Sequence, residues 1–158
     1  MQIKIPFDSS KPIAGESTID IPKPAHDVFS YIGENFFNNY PKWAVEVIEF
    51  EPLSGNDVFV GATAKQVRKD NGVKVESIFK ITDYKPDIKL IFEGTTAPYK
   101  HSYLLESDST QQPSTRLTFR FELLELEVFM RPFQKLIRVA IEEGTENTVE
   151  NIKNLITA

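Results

Sequence analysis

Cysteine is absent from this chain of 158 residues, and histidine occurs only twice. Without cysteine the protein has no disulfides and no thiolate ligand for a metal. The two histidines, His26 and His101, are far apart and lack ligand spacing, so we predict no metal site and no cofactor. The lack of disulfides favours a reducing compartment, and we therefore expect the protein in the cytoplasm.

Long hydrophobic runs and basic clusters are also missing. No stretch approaches the ~20 apolar residues that a membrane-spanning helix needs, and the first residues show no signal peptide. The net charge is -5, and the lysines and arginines are scattered along the chain. Nucleic-acid binding needs clustered cations. We therefore expect no nucleic-acid partner and no stable membrane insertion.

The composition that remains is that of an ordinary globular domain. Hydrophobic residues make up 41% of the chain and charged residues 26%, and both values are usual. A chain of this length buries about 68–70% of its extended surface, which allows a full core. No repeat or linker divides it. We predict one domain over residues 1–158, with an irregular arm at residues 1–14.

The last third of the chain carries the strongest pattern. Over residues 129–156, apolar or small side chains recur with a period near 3.6, which predicts a helix roughly 40 Å long. Gly144 and Thr145 stand near its middle, where a closely packed helix would carry leucine. A helix with bulky ends and a thin middle indicates a space beneath it. The stripe comprises Phe133, Leu136, Ile137, Ala140, Ile141, Gly144, Thr145, Thr148, Val149, Ile152, Leu155 and Ile156.

The residues before this helix predict a strand, two short helices and six further strands. We expect Gly33 to end the first short helix and Pro41 to end the second. A slip in the alternation at Val47 and Ile48 predicts a bulge. Hairpin-length connections indicate an antiparallel sheet, and one-sided alternation indicates that a single face meets the core, so the class is α+β. The predicted strands are 16–21, 45–50, 63–69, 73–84, 88–94, 99–106 and 116–123.

The charged residues of the strands indicate which side chains face inward. Lys100 and Glu106 should face water, so Tyr99, His101 and Tyr103 share the inner face. Aromatic side chains of several strands then face the thin part of the helix, as in a small-molecule site. The predicted ligand-binding residues are Ser77, Phe79, Phe92, Tyr99, His101, Tyr103, Phe119, Phe121, Ile137, Ile141, Gly144 and Thr145. The alternative is a solid core, in which the aromatic rings fill the room that Gly144 leaves.

His101 is the strongest candidate for chemistry. An imidazole in an apolar cavity acts as an acid or a base near neutral pH, with Tyr99 or Tyr103 as its partner. The other interpretation is a buried histidine that is hydrogen-bonded to a tyrosine or to the backbone. The Ser77 hydroxyl either orients a ligand or bonds a neighbouring backbone group, and no triad surrounds it. Because the sequence holds no convincing catalytic set, it favours binding over catalysis.

Several short motifs resemble one known superfamily. Residues 19–43 read IDIPKPAHDVFSYIGENFFNNYPKW, and the later segments are VGATAK at 60–65, ITDYKPDIKLIFEG at 81–94, YLLE at 103–106 and TRL at 115–117. These segments resemble the START, Bet v 1 and polyketide cyclase superfamily, although STQQPS replaces the usual glycine pair of one hairpin. The resemblance covers residues 16–155. It implies the helix-grip fold, in which a curved antiparallel sheet of about seven strands wraps a long C-terminal helix.

The resemblance also implies a hydrophobic cavity between the sheet and the helix. Members of this superfamily carry lipids or bind hormones and other aromatic molecules, and some cyclise or dehydrate polyketides. Three hypotheses follow, because the fold alone does not decide among them. The first is binding or carriage of a small hydrophobic ligand, lipid-like or aromatic. The second is a cyclase or dehydratase that uses His101 with Tyr99 or Tyr103. The third is an interaction module with a filled core, and the chain is a monomer or a homodimer.

Overall fold

The computed structural model of the protein describes residues 13–70, 72–108 and 112–158. Most of the predicted N-terminal arm, Asn71 of one hairpin turn and part of the 107–114 loop lie outside the described residues. The strands are β1 Ile13–Ile21, β2 Val47–Pro52, β3 Thr63–Asp70, β4 Val73–Lys85, β5 Lys89–Gly94, β6 Tyr99–Asp108 and β7 Ser114–Leu123. The helices are α1 Ala25–Phe29, a π-helical turn Ser30–Glu34, α2 Phe36–Trp43, a 3-10 helix Val128–Phe133 and α3 Gln134–Thr157.

The strands form one seven-stranded antiparallel sheet in the order β1-β7-β6-β5-β4-β3-β2. The predicted antiparallel sheet with a long C-terminal helix is therefore confirmed. The register shifts between Val47 and Glu49, which confirms the predicted bulge in β2. A second shift lies between Ile81 and Asp83 in β4. Bulges bend a strand and increase its twist, so these two help the sheet to curve around α3.

The first short helix does not end at Gly33, contrary to the expectation from the sequence. The chain continues through a π-helical turn to Glu34 before α2 begins. The glycine serves packing instead, because a Cβ on Gly33 would overlap the ring of Phe29. Phe29 is buried in the core, so the backbone at Gly33 lies directly against its ring.

The second short helix also extends beyond its predicted end, since α2 continues through Pro41 to Trp43. Proline removes one backbone donor from a helix, but the next turn is restored because the Ala44 N–H donates to the Tyr40 carbonyl at 2.9 Å. Both Tyr40 and Trp43 are buried. Burial of these two side chains holds the last turn of α2 against the sheet. This packing outweighs the loss of one backbone hydrogen bond at Pro41.

Aromatic side chains of α2 fill one half of the interior. Phe36 is fully buried and contacts the rings of Phe79 and Phe92 on the sheet. Phe79 and Phe92 stack on each other with ring centroids 4.2 Å apart. Tyr40 lies against both of these sheet rings as well. In this half the expectation of a solid core is correct, because α2 supplies the rings that close it.

From Ile141 onward α3 packs on the sheet, whereas its first two turns do not. Thr145, Val149 and Ile152 are buried. Phe133 and Leu136 belong to the predicted stripe, yet they are 55% and 69% exposed. The prediction of one continuous buried stripe is therefore wrong at its start. Periodicity identifies one face of a helix, but it does not require that a sheet lies under the whole length of that face.

Candidate functional site

A cavity of about 750 Å³ lies between the inner face of the sheet and α3. Its volume is in the range of small-molecule sites, roughly 300–1,000 Å³. Val45 lines it and is 65% exposed, so the cavity opens to solvent beside this residue. The lining residues are Tyr40, Trp43, Ala44, Val45, Glu46, Arg68, Asp70, His101, Tyr103, Phe119, Phe121, Met130, Ile137, Ala140, Ile141, Gly144, Thr145, Asn147, Thr148 and Asn151.

Strand register brings the aromatic part of the wall together. His101 is paired with Phe121, and Tyr103 is paired with Phe119, in the antiparallel β6–β7 ladder. Side chains of directly opposed residues project from the same face of a sheet, so these four form one continuous patch. The patch faces the part of α3 that contains Gly144. Gly144 lines the cavity and is exposed, and a Cβ built on it would meet no atom within 4 Å, so this part of α3 borders open space.

A glycine on β1 and a hydrogen bond hold α3 in this position. A Cβ on Gly15 would lie 2.8 Å from Cγ2 of Ile141 and 3.3 Å from the backbone nitrogen of Glu142. The helix therefore approaches β1 more closely than any larger residue at position 15 would allow. The Ser17 and Thr145 hydroxyls share a hydrogen bond of 2.8 Å at the same crossing. Residues of α3 on both sides of this contact, from Ile137 to Asn151, line the cavity.

The structure places eight of the predicted ligand-binding residues in the cavity wall and four elsewhere. In the wall are His101, Tyr103, Phe119, Phe121, Ile137, Ile141, Gly144 and Thr145. Phe79 and Phe92 lie under α2 and are fully buried in the filled half of the interior. The Ser77 and Tyr99 hydroxyls share a hydrogen bond of 2.8 Å, so Ser77 pairs with a side chain and not with the backbone.

His101 lies at the boundary between the filled half and the cavity. Its side chain is only 7% exposed, and its Nδ1 has no hydrogen-bond partner among the described residues. Burial, and to a smaller extent the positive charge of Arg68, hold the pKa of His101 well below its usual value. The imidazole is therefore neutral near pH 7. The expected pairing of His101 with a tyrosine or with the backbone is not found at Nδ1.

The tyrosines near His101 are engaged in hydrogen bonds of their own. The Trp43 indole N–H donates to the Tyr103 hydroxyl at 3.1 Å. The Gln66 amide N–H donates to the Tyr99 hydroxyl at 3.1 Å, and the Tyr40 hydroxyl donates to the Gln66 carbonyl oxygen at 2.8 Å. Burial raises the pKa of Tyr103 well above its usual value, so the phenol stays protonated. These hydrogen bonds stabilise the cavity wall and link it to α2.

Arg68 is a wall residue that the sequence analysis missed. Strand alternation places Arg68 on the same face of β3 as Gln66, which is 1% exposed. The guanidinium forms ion pairs with Glu46 at 3.6 Å and with Asp70 at 3.5 Å. Burial opposes its charge, but Tyr40, Asp70 and Glu46 outweigh burial and raise the pKa of Arg68. The cavity wall therefore contains one permanent cation beside two carboxylates.

The arrangement suits an organic ligand better than a metal ion. No group of three or more histidine, cysteine, aspartate or glutamate side chains comes together in residues 13–70, 72–108 and 112–158. The cavity instead combines aromatic and aliphatic walls with a neutral imidazole and a paired guanidinium. Within the part of the chain that the structure describes, no helix is both long enough and apolar enough to cross a bilayer.

Sequence comparison matches nearly the whole chain to one protein family. Residues 12–157 match the family model described as polyketide cyclase / dehydrase and lipid transport. No curated protein sequence is significantly similar to the chain. The match agrees with the resemblance predicted from the motifs, which is therefore confirmed.

Solved structures share the fold at low sequence identity. The protein TTHA0849 from Thermus thermophilus superposes with a TM-score of 0.72 at 14% identity, covering 91% of this chain and 97% of that chain. The di-domain ARO/CYC protein StfQ of the steffimycin biosynthetic pathway superposes with a TM-score of 0.71 at 10% identity, covering 92% of this chain and 51% of that chain. Ara h 8.0201 gives a TM-score of 0.60 at 13% identity, covering 92% and 98% of the two chains. These similarities confirm the helix-grip fold and show the fold alone.

Proposed function

Because the chain belongs to the polyketide cyclase/dehydrase and lipid transport family, we propose that it binds a small hydrophobic ligand in the cavity under α3. The observation that carries this proposal is the cavity itself, which has a volume of about 750 Å³ and an aromatic wall. The cavity opens to solvent, and a ligand that covers its apolar wall is stabilised by about 25 cal/mol per Å² of apolar surface removed from water. A space of this size therefore indicates a function that uses it.

The polar groups of the wall favour a ligand with one uncharged polar end. Arg68 contributes one positive charge, whereas Glu46 and Asp70 contribute two negative charges beside it. A ligand carboxylate would add a third negative charge to a partly buried site, which is unfavourable. A phenol, an alcohol or a ketone meets no such repulsion. His101 lines the cavity, but its unpartnered Nδ1 is itself buried, so a hydrogen bond between this nitrogen and such a group requires the ring to turn.

The single tryptophan of the chain offers a direct test. Trp43 lines the cavity and is 1% exposed, so a ligand in the cavity lies beside its indole. We expect polycyclic phenols and long-chain alcohols to change the fluorescence of Trp43 saturably. The matching fatty acids should bind at least tenfold more weakly because of the added charge. Native mass spectrometry supplies the stoichiometry, and one ligand per chain is expected. If no member of a broad lipid and aromatic panel alters Trp43 or binds, ligand binding is refuted.

His101 supports a second candidate, a cyclase or dehydratase that acts on the bound molecule. His101 lines the cavity and its Nδ1 is unengaged, which is the specific observation in favour, since a general base needs an unengaged nitrogen. Because this nitrogen is buried, the ring has to turn before it reaches a substrate. The tyrosine hydroxyls take part in other hydrogen bonds, so His101 would move the proton without them. A His101→Gln variant distinguishes the two candidates. If the protein only binds its ligand, the variant should change the affinity by less than tenfold, and neither the variant nor the unaltered protein should convert the ligand. A turnover that disappears in the variant establishes the enzyme.

A further inference from the structure

Five large apolar side chains are exposed close together at the start of the C-terminal helical region. Within residues 128–139 the exposed fraction is 70% for Val128 and Phe129, 55% for Phe133, 69% for Leu136 and 59% for Val139. Leu136 and Val139 are three residues apart on α3, so they share one face of the helix. Single exposed apolar residues are common, but a contiguous group marks an interaction surface. We call these five side chains the apolar ridge.

Three cations are interspersed with the apolar ridge. Arg131, Lys135 and Arg138 are exposed, and residues 128–139 contain no acidic residue, although the whole chain carries a net charge of -5. Among the described residues, none of the three forms an ion pair. The other arginines, Arg68, Arg116 and Arg120, all pair with carboxylates. The lysines and arginines that looked scattered along the sequence therefore include a local group of three cations, flanked in the chain by Glu125, Glu127, Glu142 and Glu143.

The same segment also forms part of the cavity wall. Met130, Ile137 and Ala140 line the cavity, and Ala140 is exposed. Residues of the ridge and residues of the wall alternate along one short stretch of helix. Any surface that covers the apolar ridge therefore lies next to the opening of the cavity.

We propose that residues 128–139 dock the protein on the surface of an anionic lipid bilayer, with the cavity opening beside the membrane. Exposed phenylalanine and leucine next to lysine and arginine form the composition by which a helix lies in a membrane interface. The cations match the negative charge of acidic lipids, and the ridge enters the headgroup region. The docking is independent of the proposed ligand, but its purpose rests on the proposed function, since it lets an apolar ligand exchange without crossing water.

A second copy of this chain fits the surface less well. In a symmetric dimer the same patch meets itself. Arg131, Lys135 and Arg138 would then face their own copies, and the segment offers no carboxylate to pair with them. A bilayer rich in acidic lipids supplies the missing negative charge and an apolar layer at the same time.

Vesicle co-sedimentation of the full chain tests the proposal. We expect binding to phosphatidylcholine vesicles that contain phosphatidylserine, weaker binding to phosphatidylcholine alone, and loss of binding as salt screens the cations. The triple variant Arg131→Gln, Lys135→Gln and Arg138→Gln should bind at least a hundredfold more weakly, since each cation near an anionic surface contributes about 1 kcal/mol, or roughly fivefold. The double variant Phe129→Gln and Leu136→Gln should lose binding to all vesicles.

Matched controls come from β4, on another part of the surface. Val73 is 62% exposed and Lys80 is exposed. The Val73→Gln and Lys80→Gln variants remove an exposed apolar group and a cation there, so both should bind vesicles as the unaltered protein does. All the substituted side chains are exposed, and thermal unfolding verifies that each variant keeps its fold.

Each other outcome overturns the docking proposal. Absence of binding to the acidic vesicles refutes it, as does equal binding by the ridge variants. Self-association that requires Leu136, without vesicle binding, would identify the ridge as an interface between copies. Vesicle binding is measured without ligand, whereas ligand binding is measured through Trp43 without vesicles. If docking fails while ligand still alters Trp43, the inference is wrong and the proposed function stands.

Discussion

The imidazole of His101 stacks on the phenyl ring of Phe92, with ring centroids 4.3 Å apart and an angle of 29° between the planes. Phe119 and Phe121 approach the same imidazole edge-on. The ring is therefore held on three sides by apolar groups, and its Nδ1 lacks a partner among the described residues. These contacts make His101 the point at which the solid half of the interior meets the cavity.

The first prediction concerns stability against pH. The pKa of His101 is well below its usual value, mainly through burial. The unfolded chain therefore binds a proton at this position near pH 6.5 and below, where the folded chain does not. Stability should fall as the pH falls through that range, by about 1.4 kcal/mol for each unit between the two pKa values. Urea unfolding at neutral pH and at about pH 5 measures the loss.

Two variants assign this loss to His101. The His101→Phe variant keeps the aromatic contacts and has nothing to protonate, so it should lose this part of the pH dependence. The His101→Gln variant is the second: it also has nothing to protonate at this position, so it should lose the same part of the pH dependence whatever its starting stability. An identical pH profile for the unaltered protein and His101→Phe contradicts the prediction.

The second prediction concerns Arg68 and His101 together. The positive charge of Arg68 lowers the pKa of His101, in addition to the larger effect of burial. The Arg68→Gln variant should therefore raise the pKa of His101 toward its usual value without reaching it. An NMR titration of the imidazole measures the shift. Lys65 is the matched control, because it also lies on β3 and pairs with two carboxylates. Equal pKa values of His101 in the Arg68→Gln and Lys65→Gln variants would show that the charge of Arg68 does not affect the imidazole.

The third prediction concerns the open space under Gly144. The Gly144→Leu variant should place its side chain in the cavity and abolish the response of Trp43 to ligand, while the protein remains folded. The Gly144→Ala variant is the control. It should keep ligand binding and gain up to about 1 kcal/mol of stability, because alanine favours a helix over glycine. Loss of about 1–3 kcal/mol in the leucine variant would instead indicate overpacking and an absent cavity.

The fourth prediction applies the same substitution to Gly15. A Cβ at this position would lie 2.8 Å from Ile141 and 3.3 Å from the backbone of α3. The Gly15→Ala variant should therefore destabilise the protein by about 1–3 kcal/mol, as overpacking of a close contact does. The Gly144→Ala variant should instead stabilise the protein, because a Cβ at position 144 meets no atom within 4 Å. Thermal unfolding of the two variants measures both effects, and equal signs would contradict the crossing geometry.

The sequence predicted the sheet well where its strands alternate cleanly. In β7, apolar Leu117 and Phe119 alternate with Arg116 and Arg120, so the pattern alone predicts the inner face. The helical boundaries at Gly33 and Pro41 were not predicted correctly. Rules for glycine and proline describe isolated chains, whereas here packing against the core holds the backbone past both residues.

The cavity wall was only partly predictable, because strand alternation identifies a face and not what covers it. Phe92 and His101 project from the same face, but α2 covers the former and leaves the latter beside open space. Arg68 was missed for a related reason. Its position two residues from Gln66 places it on the inner face, although a charged side chain ordinarily faces solvent. Only the pairing with Glu46 and Asp70 explains how a cation is accommodated there.

The position of β1 next to β7 has a consequence for how the protein folds. Ile21 pairs with Thr115 and Ile13 with Leu123, so the first described strand finds its partner only near the other end of the chain. The strands β2 to β7 form successive hairpins, whose contacts are local and close rapidly, whereas β1 must close a loop that contains all of them. We therefore expect the meander of β2 to β7 to form early. The addition of β1, which carries the Gly15 and Ser17 contacts to α3, completes the sheet late and limits the folding rate.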